Sequence, residues 1–184
     1  MEHAISVAVY WSRPGSLTLN ENLGLDFERT SLVVDTANEW LYAVFAVRRD
    51  ANPEAAKKHS LRYIGMTERQ VKERLADRSH KVRKNVKRIL KNNDLVVRVG
   101  AIVTSPGADI SRELASDVEA LLIFALQPPK NKRNKKAYNG RPLKIQNLSA
   151  LEGQPVDGIA ELVMGGGFPK VAAAVQPSGG GLLV

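Results

Sequence analysis

Two tyrosines and one arginine occupy positions from which they could act together on a phosphate. Tyr63 belongs to "LRYIG" (61 to 65), a strand-like run that ends in glycine, and Arg74 follows in a stretch of helical pattern. Tyr42 belongs to an earlier strand-like run, "LYAVFAV" (41 to 47). If the two runs pair with both rings on one face, the phenols converge. A guanidinium is a permanently charged fork that binds phosphate through two bonds, so the pattern suits a site that holds a phosphate.

A carboxylate and an amide extend this set. Glu119 lies at the border of the apolar stripe of a predicted helix, and Asn131 follows two prolines after it. The chain has no cysteine and three scattered histidines, so a metal would be bound mainly by carboxylate, phosphate and water oxygens, which suit Mg²⁺ or Mn²⁺. Each residue also has a plain structural interpretation, such as a packing tyrosine or a turn asparagine. Only the joint arrangement favours chemistry.

Three runs predict the strands that position these residues. The run 41 to 47 is apolar on both alternating faces, which is typical of a central strand covered on both sides. The polar stretch 48 to 60 separates it from 61 to 65, so the two are expected to form a hairpin with a long loop. The run "LVVRVGAIVT" (95 to 104) is the strongest strand signal in the chain.

Three stretches predict helices. Thr67 and Gln70 stand in the spacing of a capping box, which predicts a helix start just after Gly65. A second helix is expected from about 81 to 91. The third covers 111 to 126 and carries an apolar stripe. The residues of that stripe are Leu114, Val118, Leu121, Leu122 and Ala125.

The order of these features resembles the GIY-YIG nuclease family over roughly residues 39 to 134. The likeness rests on Tyr42 in a strand, Tyr63-Ile64-Gly65 before a helix that holds Arg74, Glu119 in a later helix, and Asn131 in "QPPKN". The resemblance implies an α/β domain with a small, mainly antiparallel three-stranded sheet flanked by helices.

The resemblance also implies a role for each residue. Glu119 would be the single protein ligand of Mg²⁺ or Mn²⁺, and Arg74 would stabilise charge in the transition state. Tyr42 would act as the general base for water, directly or by relay, while Tyr63 orients the water or the phosphate. Asn131 would be the structural or phosphate-contacting amide of the loop after the Glu119 helix.

The chain departs from the family pattern at three places. Its first motif reads Trp40-Leu41-Tyr42 rather than Gly-Ile-Tyr, so the tyrosine alone is retained. Arg74 stands nine residues after Gly65, where the family often has a spacing one residue shorter. One turn beyond the arginine the family often has histidine or tyrosine, whereas this chain has Arg78. His80 is the catalytic candidate nearby, as a donor to Tyr42 or a proton shuttle.

The excess of basic over acidic residues favours a polyanionic partner. The 27 Lys and Arg against 19 Asp and Glu give a formal charge of +8. Two clusters are interpreted as phosphate contacts to double-stranded DNA, although they could also be solvated faces. Their residues are Arg78, Lys81, Lys84, Lys87, Arg88, Lys130, Lys132, Arg133, Lys135 and Lys136.

The chain is expected to hold one nuclease-like domain, 39 to 141, between an extension (1 to 38) and a second extension with a glycine-rich tail (142 to 184). At most a short helix is expected near 159 to 164. A classical secretion signal and an apolar run of about 18 residues are both missing. These features predict a soluble, cytoplasmic protein without a membrane partner.

The function expected from these features is metal-dependent endonucleolytic hydrolysis of DNA, of the restriction or defence type or encoded by a phage. A secreted nuclease toxin is compatible with the same residues. A homodimer is a candidate assembly, because one site per chain would need a second copy to cut both strands. Two rivals remain open: an inactive nucleic-acid-binding module on the same fold, and a basic component of a ribonucleoprotein.

Overall fold

The computed structural model of the protein describes residues 4–19, 25–27, 41–49, 59–77, 92–104, 110–149 and 156–166. The strands are β1 (Ile5–Trp11), β2 (Gly15–Leu19), β3 (Leu25–Phe27), β4 (Leu41–Arg48), β5 (His59–Met66), β6 (Asn93–Val103), β7 (Leu143–Ser149) and β8 (Leu162–Gly165). The helices in these ranges are α1 (Val71–Ala76) and α2 (Arg112–Leu126).

The long strand β6 organises the sheet. It pairs along one edge with β4, which in turn pairs with β5, and all three strands are antiparallel. Along its other edge β6 pairs first with β2 and then with β1, with Gly15 opposite Val97 and Trp11 opposite Gly100. β3 pairs with β2. The three predicted strands are therefore present, adjacent to one another and antiparallel.

The far side of the sheet joins distant parts of the chain. β7 runs parallel to β1, with Ile5 opposite Leu143 and Trp11 opposite Ser149, and β8 closes the sheet antiparallel to β7. The strand order across the sheet is thus β5, β4, β6, β1, β7, β8.

The predicted fold class is wrong. The described part of the chain is mostly β, an eight-stranded mixed sheet with two helices, and not a small three-stranded sheet flanked by helices. The reason lies in the two stretches interpreted as extensions. Ile5–Trp11 and Leu143–Ser149 bury alternate residues, as strands covered on one face do, and both belong to the same sheet as β4 and β5.

The sheet is covered on both faces near β4. One face, the α2 face, carries Leu41, Ala43 and Phe45 of β4 into the main core beneath α2. The other, the α1 face, carries Tyr42, Val44 and Ala46 into a smaller core that α1 completes with Val71 and Leu75. Because both faces of the strand are covered, the run 41 to 47 is apolar on both of its alternating sides. The alternation also places Tyr42 on the face that α1 covers.

The helix α2 follows the sequence prediction closely. Ser111 caps its N-terminus, because its hydroxyl accepts a hydrogen bond from the Leu114 amide at 3.1 Å. Gln127 ends it in the left-handed conformation with φ of 51°. Most of the predicted stripe is buried, and Ala125 is partly buried against the same core. The buried residues of α2 are Leu114, Ala115, Val118, Leu121, Leu122 and Ile123.

The helix α1 begins later than predicted. Gln70 is extended, with ψ of 137°, and no side-chain cap is formed, so the helix begins at Val71. The Thr67 hydroxyl accepts instead from the amide of Arg69 at 3.1 Å. A threonine hydroxyl that bonds to the backbone two residues further along the chain favours a turn at the expense of a helix. The predicted capping box is therefore wrong, although Val71 and Leu75 do share a buried face.

The segment 156–166 is held to the sheet by buried polar contacts. The Asn147 amide accepts a hydrogen bond from the Trp11 indole at 2.9 Å and donates one to the Ala160 carbonyl at 2.8 Å. Val156, Ile159 and Ala160 are buried in the main core. A short helix near 159 to 164 is not formed, because Leu162–Gly165 pairs with β7 as a strand.

The predicted helix from 81 to 91 lies outside the described residues. Among the helices that are described, none has the length and apolar character needed to cross a membrane.

Candidate active site

The two tyrosines meet on the α1 face of the hairpin formed by β4 and β5. Their ring centroids are 5.9 Å apart and their planes are inclined by 34°. Tyr42 is fully buried, and Tyr63 retains 7% of its surface exposed. The predicted convergence of the two phenols is therefore present in the fold.

Both phenols are held in the neutral form by their surroundings. Burial raises the pKa of Tyr42 well above its ordinary value, and the neighbouring Tyr63 adds to the rise while the Arg74 charge opposes it. Burial also raises the pKa of Tyr63, and the Glu119 charge adds to it. A hydrogen bond between the phenols raises the pKa of Tyr42 and lowers that of Tyr63. The bond thus favours the neutral form of Tyr42 and the ionised form of Tyr63.

Gly65 makes room for the Tyr42 ring. The two residues are opposite each other in the β4–β5 ladder. A Cβ built on Gly65 would lie 2.8 Å from Cε1 of Tyr42 and closer still to Cζ and the phenol oxygen. Any larger residue at this position would have to displace the ring, so the glycine of "YIG" is required by the tyrosine on the neighbouring strand.

Arg74 projects from the last turn of α1 towards the same phenols. Its charge acts on both Tyr42 and Tyr63, lowering the pKa of each. Its guanidinium also lies 3.4 Å from the Asp77 carboxylate, and that same oxygen is 3.6 Å from the guanidinium of Arg69. Arg74 therefore already pairs with an anion. The side chains of Arg74 and Asp77 are partly exposed, and that of Arg69 is exposed.

Glu119 reaches the site from α2. Its Oε1 accepts a hydrogen bond from the Met66 amide at 3.0 Å, which anchors the carboxylate at the end of β5. Its charge acts on both tyrosines. The residue is partly exposed, so a carboxylate oxygen can face solvent and cations there. In the part of the chain that is described, no cluster of three or more His, Cys, Asp or Glu side chains could hold a metal.

Asn131 clamps the strand that carries Tyr63. Its side-chain oxygen accepts from the Ile64 amide at 2.9 Å, and its nitrogen donates to the Ile64 carbonyl at 2.7 Å. Asn131 is itself buried, with 7% of its surface exposed. The amide thus replaces a neighbouring strand at the outer edge of β5, which makes it a structural clamp one residue away from Tyr63.

The basic loop after α2 begins at this clamp. Lys130 is half-buried, and Lys132, Arg133 and Lys136 are exposed. Lys135 differs, because its ammonium donates to the carbonyls of Gln127 and Pro128, each at 3.2 Å. Three of the five predicted phosphate contacts in this loop are therefore exposed, Lys130 is half-buried, and Lys135 stabilises the end of α2.

The structure brings together Tyr42, Tyr63, Arg74 and Glu119, with Asn131 behind them. The remaining predicted residues lie outside the described ranges. These are Arg78, His80, Lys81, Lys84, Lys87 and Arg88.

Two further residues belong to the site. The spacing of Asp77, three residues after Arg74, indicates the ion pair that the structure shows. Arg62 adjoins Tyr63 and was missed in the sequence, because a β-bulge leaves no mark in the residue pattern.

No model of a known protein family, no curated protein and no solved structure matches this chain. The resemblance to GIY-YIG nucleases accordingly remains a prediction from the residues and their arrangement.

Proposed function

We propose that this protein is a divalent-metal-dependent endonuclease that hydrolyses phosphodiester bonds in double-stranded DNA. The observation that carries the proposal is the meeting of two phenols, one guanidinium and one carboxylate at the end of the β4–β5 hairpin, where the charges of Arg74 and Glu119 act on both tyrosines. Packing alone has no need of this combination. Phosphodiester hydrolysis needs a positioned water, a cation for the transition state and a means of stabilising the leaving oxygen.

The residues fit a divalent cation at Glu119. Its carboxylate is a hard oxygen ligand, and the hydrogen bond from Met66 fixes one oxygen. Other ligands would come from the phosphate and from water. When bound, Mg²⁺ or Mn²⁺ would offset charge on the phosphate and the leaving oxygen.

Arg74 provides the second cation. Its planar fork suits a phosphate that gains charge in the transition state. To reach it, the guanidinium has to exchange Asp77 for the phosphate, and both side chains of this ion pair are partly exposed to solvent.

The two tyrosines suit the removal of a proton from water. Tyr63 retains some exposed surface whereas Tyr42 has none, so Tyr63 is the phenol able to contact a water. Because the hydrogen bond with Tyr42 lowers the pKa of Tyr63, Tyr63 is the phenol that would first lose its proton to solvent and then, as phenolate, take a proton from that water. Because burial raises the pKa of both phenols, proton removal depends on cations at the site.

We place this activity in the cytoplasm, in a restriction, defence or phage setting, and a homodimer would account for cuts in both strands. These details rest on the nuclease proposal.

The test is cleavage of supercoiled plasmid by the full chain with Mg²⁺, Mn²⁺ or EDTA. We expect metal-dependent nicking or linearisation, lost in Glu119→Gln, whose amide can still accept the Met66 hydrogen bond. Glu113→Gln is the matched control, since this exposed glutamate lies on the same helix away from the tyrosines. Cleavage that survives in Glu119→Gln would refute the assigned role of this carboxylate.

Two observations favour a second candidate, an inactive nucleic-acid-binding module. Tyr42 has no exposed surface, and Arg74 is already paired with Asp77. Salt-sensitive binding of DNA or RNA without cleavage in either metal would support this candidate over the nuclease.

A further inference from the structure

Arg62 is the extra residue of a β-bulge beside Tyr63. In the β4–β5 ladder Val44 is opposite Tyr63, but the next residue, Phe45, is opposite Leu61, so Arg62 has no partner of its own. A bulge changes the direction of a side chain relative to the regular ladder, and bulges are common beside active sites. The position of Arg62 is therefore a specific feature of the strand that carries Tyr63.

The charge of Arg62 is not offset by the described parts of the protein. No acidic side chain in those ranges forms an ion pair with it. The residue is half-buried, and its Nε is buried without a hydrogen-bond partner. Buried N–H groups rarely lack an acceptor. Arg62 thus presents a cation with unused donors at the position just before Tyr63 on β5.

The backbone of Arg62 connects it to the basic loop. Its carbonyl accepts a hydrogen bond from the Lys130 amide at 3.0 Å, and Asn131 holds Ile64 two residues further along β5. The loop therefore continues from the outer edge of β5. We name Arg62, Lys130, Lys132 and Arg133 the β5-edge cations.

Two neighbouring cations are already engaged. Lys135 donates to the carbonyls at the end of α2, and Arg141 contacts Asp117 at 2.6 Å. By contrast, the β5-edge cations have no acidic partner within the described ranges. The β5-edge cations are thus left for an external anion, and the backbone bond between Lys130 and Arg62 joins their loop to the strand that carries Tyr63.

We propose that Arg62 binds a backbone phosphate of duplex DNA next to the phosphate held at the tyrosines, and that the other β5-edge cations continue this contact along the same strand. The inference rests on the proposed function. A contact of this kind adds affinity without base specificity, because phosphates carry no sequence information.

The experiment measures binding of the full chain to a fluorescent DNA duplex in EDTA, over a series of salt concentrations. Arg62→Met removes the charge and keeps the apolar stem. We expect the Kd to rise by about five- to tenfold at moderate salt, and the slope of log K against log salt to fall in magnitude by about 0.9. Arg62→Lys should retain the wild-type slope.

Lys144→Met is the matched control. Lys144 is an exposed cation on β7, at the opposite side of the sheet from β5, so its loss should leave the slope unchanged. Thermal unfolding of each variant confirms that binding is compared between folded proteins. An unchanged slope in Arg62→Met, or an equal loss in Lys144→Met, would overturn the proposed contact.

The outcome can be separated from that of the nuclease proposal. Cleavage of plasmid by the wild type together with an unchanged Arg62→Met slope would refute the Arg62 contact alone. A reduced slope with no cleavage in any metal would support the contact and refute the nuclease.

Discussion

The ring of Tyr42 lies across the backbone of Gly65, its partner on the neighbouring strand. This relationship couples two parts of the motif that are far apart in the chain. Gly65 allows the ring to lie flat against β5, and this position brings the phenol within hydrogen-bonding distance of Tyr63. The short sequence "YIG" is thus explained by packing across a hairpin as well as by chemistry.

Gly65→Ala should disturb the site more than the fold. The added Cβ would overlap the Tyr42 ring, so we expect a loss of about 1 to 3 kcal/mol in unfolding free energy from overpacking. Displacing the phenol by about 1 Å should lower cleavage by roughly 100-fold. Denaturant unfolding and plasmid cleavage measure the two effects.

Gly100→Ala serves as the control for that change. Its Cβ would contact Trp11 at 3.0 Å on the α2 face, away from the phenols. It should lose stability but keep its cleavage rate where the protein is folded. Equal losses of activity in the two variants would contradict the role given to Gly65.

Tyr42→Phe should change the stability of the protein at alkaline pH. Burial raises the folded-state pKa of Tyr42 above its unfolded value, so the unfolded state loses this proton first. The stabilising contribution is complete below about pH 10 and declines as the pH rises further. The variant should lack this decline, amounting to about 1.4 kcal/mol per pH unit.

Denaturant unfolding between about pH 9 and 12 measures this difference. Tyr138→Phe is the comparison variant. Burial raises the pKa of Tyr138 as well, but its hydroxyl donates to the Arg141 carbonyl and not to a phenol of the site. Parallel stability curves for wild type and Tyr42→Phe would show that Tyr42 titrates normally.

Local patterns predicted the elements that carry the site. The β-branched runs of β4 and β6 and the apolar stripe of α2 identified these elements, and the spacing of Tyr42, Tyr63, Arg74 and Glu119 identified four residues that the fold brings together. These signals succeed because strand and helix periodicities are local properties of a sequence.

Non-local pairing explains what could not be predicted. The alternation of Ile5–Trp11 is visible in the sequence, but its parallel pairing with Leu143–Ser149 joins segments far apart in the chain. Strand preference depends on such neighbours, so the size of the sheet was missed. The turn at Thr67 was missed for another reason: a capping box and a local side-chain turn use the same residue types.

Asn131→Ala should destabilise β5. The substitution removes both bonds to Ile64 and leaves a buried amide and carbonyl without their partner. Since each unsatisfied group costs about 1 to 3 kcal/mol, we expect a loss of at least about 2 kcal/mol. Hydrogen exchange should become faster at the Ile64 amide. Asn139→Ala, at an exposed position of the same loop, should change stability by less than about 0.5 kcal/mol.

Asp77→Asn should strengthen DNA binding. The Asp77 carboxylate lies near the guanidinium groups of both Arg74 and Arg69, so it competes with phosphate for these cations. Without its charge, we expect a Kd about two- to fivefold lower and a steeper salt dependence, because more phosphate charge is then neutralised by the protein. Asp94→Asn is the matched control, since Asp94 pairs with Arg49 at 2.7 Å far from the tyrosines. Duplex binding in EDTA measures both variants, and weaker binding by Asp77→Asn would mean that Asp77 orients Arg74 for the phosphate rather than competing with it.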